Sequence, residues 1–363
     1  MRLALSAALA ALVLAGACST GSPAAAPQPA QPAASASSAA PAGAAAAPAP
    51  AASATAPLPS LNITYSAAIA LYVPLYVAKE EDLFRKNGVD AEISYAEANV
   101  SRPGLVSGEI DANFSNGQSA IAIGAAGADI VILDCMDSVS SDYVIMAQPG
   151  IRSVADLRGK QVGVSRPTDL SVGYLSVVLQ REGMTTNDVQ LRTLGGQAER
   201  QAGLESKQVD AVILSAPYDY VLEREGYSRV LNIVDLRLPT AGRCFYTMRN
   251  TLDAKRPAFE AALKALIEAD HFVKQNPDRA MAIMSKYTQE TDPELLRILY
   301  DSIVPWSNKV PTVSLDGLRF QADFTATISD APQIREYDVS KMVDESLLHN
   351  LEQSGFIDRV YGS

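Results

Sequence analysis

The sequence predicts an α/β protein with two lobes, each a mostly parallel sheet flanked by helices, joined by a two-strand hinge. The first observation is an internal repeat: GLVSGEIDA at 104–112 and GLESKQVDA at 203–211 share five residues in register. The same offset of 99 residues aligns NITYS, ending at Ser66, with QVGVS, ending at Ser165. The second observation is that β-prone and helical runs alternate within each unit, which favours parallel sheets with right-handed crossovers.

Each unit is predicted to run strand, helix, strand, helix, strand. In the first unit a single helix follows the first strand, with Pro74 in its opening turn and Gly88 at its end. The matching helix of the second unit has an apolar face that begins at Leu170, and it ends at Gly183. The alternating runs VDAEISY and VQLRT predict the second strands. The third strands begin at the shared Asp-Ala pair.

The last third of the chain predicts helices and completes the lobes. Candidate helices at about 253–275, 277–287 and 292–303 are expected to pack on the first lobe. We expect the chain to cross between the lobes near 143–148 and to return near 244–248, because both segments are β-prone. The predicted boundaries are 61–146 plus 247–363 for lobe I and 147–246 for lobe II.

The N-terminal residues predict export and a lipid anchor. Arg2, an apolar run and small residues before Cys18 have the layout of a signal peptide over 1–17. A Cys in that place resembles the bacterial lipobox, in which it is acylated; the alternative is ordinary cleavage, which leaves Cys18 as an incidental thiol. Residues 19–60 carry no charge and nine prolines, so 18–60 is expected to be a disordered tether. This predicts a membrane-anchored lipoprotein in the periplasm or at the cell surface.

Composition excludes several classes of function. Removing Arg2 from the 30 basic residues leaves 29, against 41 acidic ones, which argues against a nucleic-acid partner and against adhesion to anionic lipid. Apart from Cys18, the cysteines are Cys135 and Cys244, and a separation of 109 residues does not decide whether they form a disulfide. With two histidines and no clustered ligands, we predict no metal site and no cofactor.

Several segments resemble a known family. They are, in order over roughly 61–320, YVPLYVAKEEDLFRKNGVDAEI, GLVSGEIDANFSNG, SVADLRGKQVGVS and a GL-x-S-x-x-VDA segment. This series resembles the periplasmic substrate-binding proteins of nitrate/sulfonate/taurine-type (NitT/TauT) ABC transporters, whose relatives include binders of thiamine-pyrimidine precursors. The resemblance implies a type II periplasmic-binding fold that closes on a sulfonate, carboxylate, pyrimidine or aromatic solute and docks on an ABC permease. We expect a monomer.

Two other functions stay open at this point. A ligand-binding sensor would present its loaded lobe to a membrane receptor, and the sequence of a binding domain does not separate that role from transport. A thiamine-pyrimidine-synthase-like enzyme uses its own histidine and a cysteine-rich iron site. Because this chain has no cysteine cluster and no G-x-S-x-G or H-E-x-x-H motif, we expect that it is not an enzyme.

Polar residues follow the carboxyl ends of the predicted strands, where open α/β sheets bind ligands. The predicted ligand-binding residues are Ser66, Tyr72, Asn116, Gln118, Asp137, Ser165, Thr168, Ser171, Ser215 and Tyr218. For most of them the alternative is a helix cap. Asp137 is expected in a loop after a strand at 130–133, facing a cationic ligand group or capping that loop. Arg166 and Arg243 are expected at the surface, and the alternative for each is pairing with an anionic solute. Trp306 is expected in side-chain packing rather than at a ligand.

Overall fold

The structure, a computed structural model, describes residues 57–139, 143–166, 170–328 and 331–362. The predicted signal peptide, the lipidation site Cys18 and the tether as far as residue 56 lie outside the described residues, as does the predicted site residue Thr168. The first strand begins at Ser60, the last residue of the predicted tether. Within the described ranges, no helix combines the length and the apolar character needed to cross a membrane.

The strands of the described residues form two five-stranded sheets. In chain order the strands are β1 (Ser60–Tyr65), β2 (Asp90–Tyr95), β3 (Ala112–Ser115), β4 (Ile130–Val139), β5 (Val144–Ala147), β6 (Gln161–Val164), β7 (Gln190–Thr193), β8 (Ala211–Leu214), β9 (Ser228–Asn232) and β10 (Pro239–Met248). The order is β2-β1-β3-β10-β4 in the first sheet and β7-β6-β8-β5-β9 in the second. In each sheet the first three strands are parallel, and the fourth runs antiparallel to both of its neighbours.

Helices cover both faces of each sheet. They are α1 (Val73–Glu80), α2 (Leu83–Lys86), α3 (Ala98–Ser107), α4 (Gly117–Gly124), α5 (Leu170–Arg181), α6 (Gln197–Glu205), α7 (Tyr218–Arg224), α8 (Arg249–Gln275), α9 (Pro277–Thr288), α10 (Pro293–Ile303), α11 (Leu315–Ile328), α12 (Ser346–Gln353) and α13 (Phe356–Tyr361). The predicted C-terminal helices α8, α9 and α10 are confirmed, and they pack on lobe I, where α8 and α9 contact α1. The predicted single helix after β1 is wrong: it is split into α1 and α2 at Asp82, whose φ of 57° is left-handed.

The internal repeat builds the same unit twice, as predicted. Strands β1, β2 and β3 of the first sheet correspond to β6, β7 and β8 of the second, in the same spatial order. The shared aspartate has the same contact in both: Asp111 Oδ2 accepts a hydrogen bond from the Asn62 backbone N–H at 2.8 Å, and Asp210 Oδ2 accepts one from Gln161 N–H at 2.8 Å. The repeat therefore preserves the joint between the first and third strands of each lobe.

The crossings between the lobes lie a few residues from the predicted ones. Strand β5 pairs with β8 and β9, so residues 144–146 belong to lobe II. Strand β10 pairs with β3 and β4, so residues 239–246 belong to lobe I. The predicted boundaries at 146 and 246 are displaced because both crossing segments are β-prone, and only the pairing partner decides which sheet each one joins.

A disulfide joins the two long strands beside the crossings. Cys135 on β4 and Cys244 on β10 lie opposite each other in the sheet, both fully buried, and they are bonded. The sequence leaves open whether these two cysteines form a disulfide, and the structure shows that they do. Because lobe II lies between these two cysteines in the chain, the bond closes a loop that contains the whole of that lobe.

Helix α11 of lobe I packs against α5 of lobe II next to this hinge. Tyr174 of α5 donates a hydrogen bond to Thr240 Oγ1 on β10 at 3.0 Å, and Gln321 Nε2 of α11 donates to the same oxygen at 2.9 Å. The ring of Phe324 fills the space over Gly173, where a Cβ atom would not fit. These contacts fix one side of the space between the lobes and leave the other side open as a cleft.

Candidate functional site

A cleft of about 970 Å³ lies between the two lobes. Lobe I contributes the segment 67–71 that follows β1 and parts of α9 and α10 with the turn after it. Lobe II contributes Ser215 and Tyr218 from the connection between β8 and α7, and Arg229 from the edge strand β9. The cleft therefore lies at the carboxyl ends of the parallel strands, the place that open α/β sheets use for ligands.

The lobe II wall carries a paired set of charges. Arg229 Nη1 donates to Asp219 Oδ2 at 2.8 Å, and Nη2 donates to Glu223 Oε2 at 2.8 Å. Burial opposes the charged form of Arg229, but the hydrogen bonds that Arg229 donates to Glu223 and Asp219 outweigh this effect and raise the pKa of Arg229. The hydrogen bond with Arg229 lowers the pKa of Glu223. The guanidinium lies over the ring of Tyr220, 5.2 Å from its centre.

Tyr218 lines the large cleft next to this wall. Burial raises the pKa of Tyr218, and the nearby carboxylates of Glu199 and Glu290 raise it further, while Arg200 lowers it. The phenol therefore stays protonated at neutral pH and remains a hydrogen-bond donor. Next to it, Ser215 is held by Gln197, whose Oε1 accepts from the Ser215 backbone N–H at 2.8 Å.

A second cavity of about 80 Å³ lies against the hinge strands and shares Ile69, Leu71 and Tyr143 with the large cleft. Its lining includes Asp137 and Arg243, which are only 3% and 2% exposed.

Asp137 and Arg243 form a buried ion pair. Arg243 Nε donates to Asp137 Oδ2 at 2.6 Å, and Nη2 donates to Oδ1. Arg243 also has a left-handed φ of 47°, which is uncommon for a residue with a side chain. The pair satisfies both charges and holds the two hinge strands together at the floor of the cleft.

The structure separates the predicted site residues into groups. Ser215 and Tyr218 line the large cleft, and Tyr72, Asn116 and Asp137 line the small cavity. Ser66 lies just behind them and contacts Tyr72 OH at 2.9 Å. The remaining described residues line neither cavity: Gln118 is half-buried on α4, Ser171 is fully buried, and Ser165 lies at the end of β6.

Several expectations about single residues are corrected. Asp137 lies within strand β4 rather than in a loop, and it faces Arg243 instead of open space for a ligand cation. The expected surface position of Arg243 is wrong, because the carboxylate of Asp137 satisfies its charge and allows burial. Trp306, which was expected in side-chain packing, lines the cleft. Asn116 is a helix cap, the alternative noted for it, since its Oδ1 accepts from Ser119 N–H at 3.0 Å.

The sequence analysis missed Asp219, Glu223, Arg229 and Glu290 as cleft residues. Asp219 could have been predicted, because it lies in the first turn of the helix that follows the predicted strand end at Ser215. No local pattern marks Arg229, which is on an edge strand that the sequence analysis did not assign. Glu290 reaches the cleft only because α9 packs back on lobe I.

Comparison with known proteins identifies the family. Residues 71–280 match the family model described as NMT1/THI5 like, which is more than half of the 363 residues. The chain belongs to this NMT1/THI5-like family.

Two curated sequences are similar to much of this chain. A binding protein of Brucella abortus (strain 2308) is 26% identical over 220 residues, 58% of this chain and 66% of the relative, just under two thirds of its length. A protein of Haemophilus influenzae named for thiamine biosynthesis is 25% identical over 282 residues, 74% of this chain and 87% of the relative.

Solved structures define the fold. The periplasmic aliphatic sulphonate binding protein SsuA from Escherichia coli superposes with a TM-score of 0.68 at 20% identity, covering 80% of this chain and 99% of that one. The predicted fold class, a two-lobe periplasmic-binding-protein fold, is confirmed, as is the predicted resemblance to the NitT/TauT-type substrate-binding proteins. Among the residues that the structure describes, no group of three or more His, Cys, Asp or Glu side chains is placed to hold a metal ion.

Proposed function

We propose that this protein is an exported solute-binding protein that captures one small molecule between its lobes and delivers it to the permease of an ABC importer. The observation that carries the proposal is the cleft of about 970 Å³ at the strand ends of two lobes. The lobes are connected through neighbouring antiparallel strands, β4 and β10, an arrangement suited to hinge closure around a ligand. The name of the Escherichia coli neighbour, a sulphonate binding protein, supports the class.

The proposed ligand contacts are the predicted residues that line the two cavities. Tyr218 and Ser215 face the large cleft, and Tyr72 and Asn116 face the small cavity at its floor. Hydroxyl and amide groups of this kind orient the polar part of a small ligand, while the surrounding apolar side chains bury the rest of it. Ser66 supports the site through its contact with Tyr72.

A thermal-shift screen of the full chain against a broad library of small organic solutes tests the proposal. A ligand that binds the folded state raises the melting temperature by mass action. Tyr218→Ala should weaken the binding of any hit about tenfold in calorimetry, which corresponds to about 1.4 kcal/mol. Gln118→Ala is the matched control, because Gln118 was predicted for the site but lines neither cavity. A screen without hits, or equal losses in both variants, would contradict the proposal.

The proposal assigns binding rather than catalysis. Within the described lining of the cleft, no histidine lies beside a serine or cysteine to activate it as a nucleophile. A hit from the screen should therefore be recovered chemically unchanged after long incubation with the protein, as judged by mass spectrometry.

We also propose that Cys18 carries a lipid and that residues 19–60 tether the binding domain to a membrane. The folded part is acidic, so a lipid is the contact that keeps it near an anionic membrane face. Cys18→Ser should move the protein from the membrane fraction to the soluble fraction of the cells. Retention on salt-washed membranes would show that the anchor lies elsewhere.

A further inference from the structure

The charges that line the cleft are unbalanced. The ionisable Asp, Glu and Arg side chains in the described lining are Asp219, Glu223, Glu290, Asp301 and Arg229. Asp301 has an ion-pair partner outside the lining, Arg297, at 2.9 Å. Three carboxylates then remain against one guanidinium. A concave surface with an excess of one sign attracts ligands of the opposite sign.

Arg229, the arginine in the described lining of the large cleft, already uses most of its hydrogen-bond donors. Besides its contacts at 2.8 Å with Asp219 and Glu223, Arg229 donates to Asn232 Oδ1 at 3.0 Å and, through Nε, to Glu223 Oε2 at 3.2 Å. Four of the five guanidinium N–H groups are used in this way, and two carboxylates match one positive charge. In the small cavity, Arg243 is paired with one carboxylate, that of Asp137.

Two helix N-termini beside the cavities, those of α4 and α7, already have a polar or charged side chain next to them. Asn116 accepts the backbone N–H of Ser119 at the start of α4. Asp219 lies in the first turn of α7, where a carboxylate complements the partial positive charge of the helix end. A sulfonate or carboxylate entering the cleft would meet the carboxylate of Asp219 at the start of α7.

Asp219 supplies an independent observation. It lines the cleft, it is only 2% exposed, and its Oδ1 has no hydrogen-bond partner in the part of the chain that the structure describes. That oxygen is closed to bulk water, so solvent does not make up the missing bond. A buried carboxylate oxygen without a donor is costly, and the N–H groups of a cation are the strongest donors that a ligand offers to it.

Aromatic side chains line the same space. Tyr218, Tyr220 and Trp306 all contribute to the cleft. The faces of such rings attract cations, and the guanidinium of Arg229 over Tyr220 is an example within this wall. An acidic wall beside aromatic rings is an arrangement that favours a positively charged nitrogen.

We propose that the cleft binds a small organic cation, a primary amine or amidine carried on a ring or chain, with its charged nitrogen next to Asp219. The inference rests on the proposed function, because it concerns the same cleft. It excludes sulfonates and carboxylates from the class of ligands.

The test uses sets of solutes that share a carbon skeleton and differ in charge. Benzylamine, benzyl alcohol and phenylmethanesulfonate form one set, and propylamine, 1-propanol and propanesulfonate form another. Thermal shift and calorimetry on the full chain should rank the amine first in each set, with a Kd at least tenfold lower than that of the sulfonate. Added salt should weaken the binding of the amine, because screening reduces the attraction between opposite charges.

Two variants and a control locate the effect. Asp219→Asn should raise the Kd of the amine about tenfold, and Glu223→Gln, at a half-exposed position, should raise it several-fold. Glu225→Gln removes the same charge just after α7 at an exposed position outside the cleft lining, and it should leave the Kd unchanged. If Asp219→Asn does not fold, the comparison of Glu223→Gln with Glu225→Gln still shows whether carboxylates of the cleft lining bind the amine.

Tighter binding of the sulfonates, equal binding of the alcohols, or no binding by any member of the sets would overturn the inference. If a sulfonate or a neutral solute binds instead, the proposed function stands and only the ligand class is wrong. If the broad screen also yields nothing, the proposed function fails as well.

Discussion

The two lobes share one repeat, but their strand ends are chemically different. In lobe I, Ser66 Oγ contacts Ser115 Oγ at 2.7 Å and Tyr72 OH at 2.9 Å. At the offset of 99 residues, the equivalent of Ser66 is Ser165, and the equivalent of Ser115 is Leu214. Ser165 Oγ is buried and has no hydrogen-bond partner among the described residues. The repeat thus preserves the backbone frame, while the chemistry of each strand end depends on single neighbouring residues.

Two buried carboxyl groups, Asp219 of lobe II and Asp134 of lobe I, also differ in their surroundings. In lobe II, Asp219 Oδ2 forms an ion pair with Arg229 Nη1 at 2.8 Å. In lobe I, Asp134 is 0% exposed and accepts a hydrogen bond from the Phe245 backbone N–H at 3.2 Å. Burial raises the pKa of Asp134 to about 8. Asp219, like Asp137 of lobe I, therefore lies beside a guanidinium, whereas Asp134 has no ion-pair partner among the described residues and keeps its proton.

The largest expected effect concerns the link between the lobes. The double variant Cys135→Ala/Cys244→Ala releases a loop of 109 residues that contains all of lobe II. We expect the free energy of unfolding to fall by about 5 kcal/mol, because the unfolded chain regains the entropy of an open loop. Chemical denaturation followed by circular dichroism measures the change. Cys18→Ser is the control, and a loss below about 1 kcal/mol in the double variant would contradict the expectation.

An intermediate effect is expected from Asp134 of lobe I, a buried carboxyl group without an ion-pair partner among the described residues. Asp134 keeps its proton in the folded state up to about pH 8, whereas its usual pKa is 3.8. The contribution of this group to stability is therefore present below about pH 4 and is lost as the pH rises through about 8. The free energy of unfolding should decrease by about 1 kcal/mol per pH unit, about 3 kcal/mol from pH 5 to pH 8.

Asp134→Asn should remove that pH dependence, because the amide oxygen still accepts the Phe245 N–H and carries no charge. Denaturation curves at pH 5, 6, 7 and 8 for both proteins measure the difference. Asp219→Asn in lobe II serves as the comparison, since loss of the charge there leaves Arg229 with one carboxylate fewer. A variant with an unchanged pH profile would show that Asp134 is ionised in the fold.

The smallest expected effect compares the two equivalent serines. Ser66→Ala removes a hydroxyl that contacts two others, and it should cost about 1 kcal/mol of stability. Ser165→Ala removes a hydroxyl without a partner in the described structure, so the expected change is within about 0.5 kcal/mol. Calorimetric unfolding of the two variants gives the comparison. Equal losses would mean that Ser165 has a partner in the folded protein.

Much of the fold could be predicted because its signals are local. The repeated GLxS and Asp-Ala residues mark a helix end and a strand start in both units, and Asp111 and Asp210 confirm their common role. Prediction from local sequence fails where the same local pattern is compatible with two structures. A run of β-prone residues at 239–246 is a strand in either lobe, and helical residues around Asp82 allow one helix or two.

The site was less predictable, because its contacts join distant parts of the chain. Ser215, Tyr218, Tyr72 and Asn116, predicted from the strand ends, line the two cavities, and their role in ligand binding stays a prediction. Sequence patterns carry no information about the pairing of Asp137 with Arg243, 106 residues apart. Burial of a charged side chain depends on a partner that the sequence pattern does not specify, so the arginine was expected at the surface.

The sequence by itself determined the two units, the alternation of strands and helices within them and the family, because hydrophobic periodicity and capping residues act over short distances. The tertiary structure decided which sheet each crossing strand joins, that Cys135 meets Cys244, and which charges line the cleft. Those outcomes depend on packing between elements far apart in the chain, where strand pairing and the burial of charge are settled by the neighbours that folding brings together.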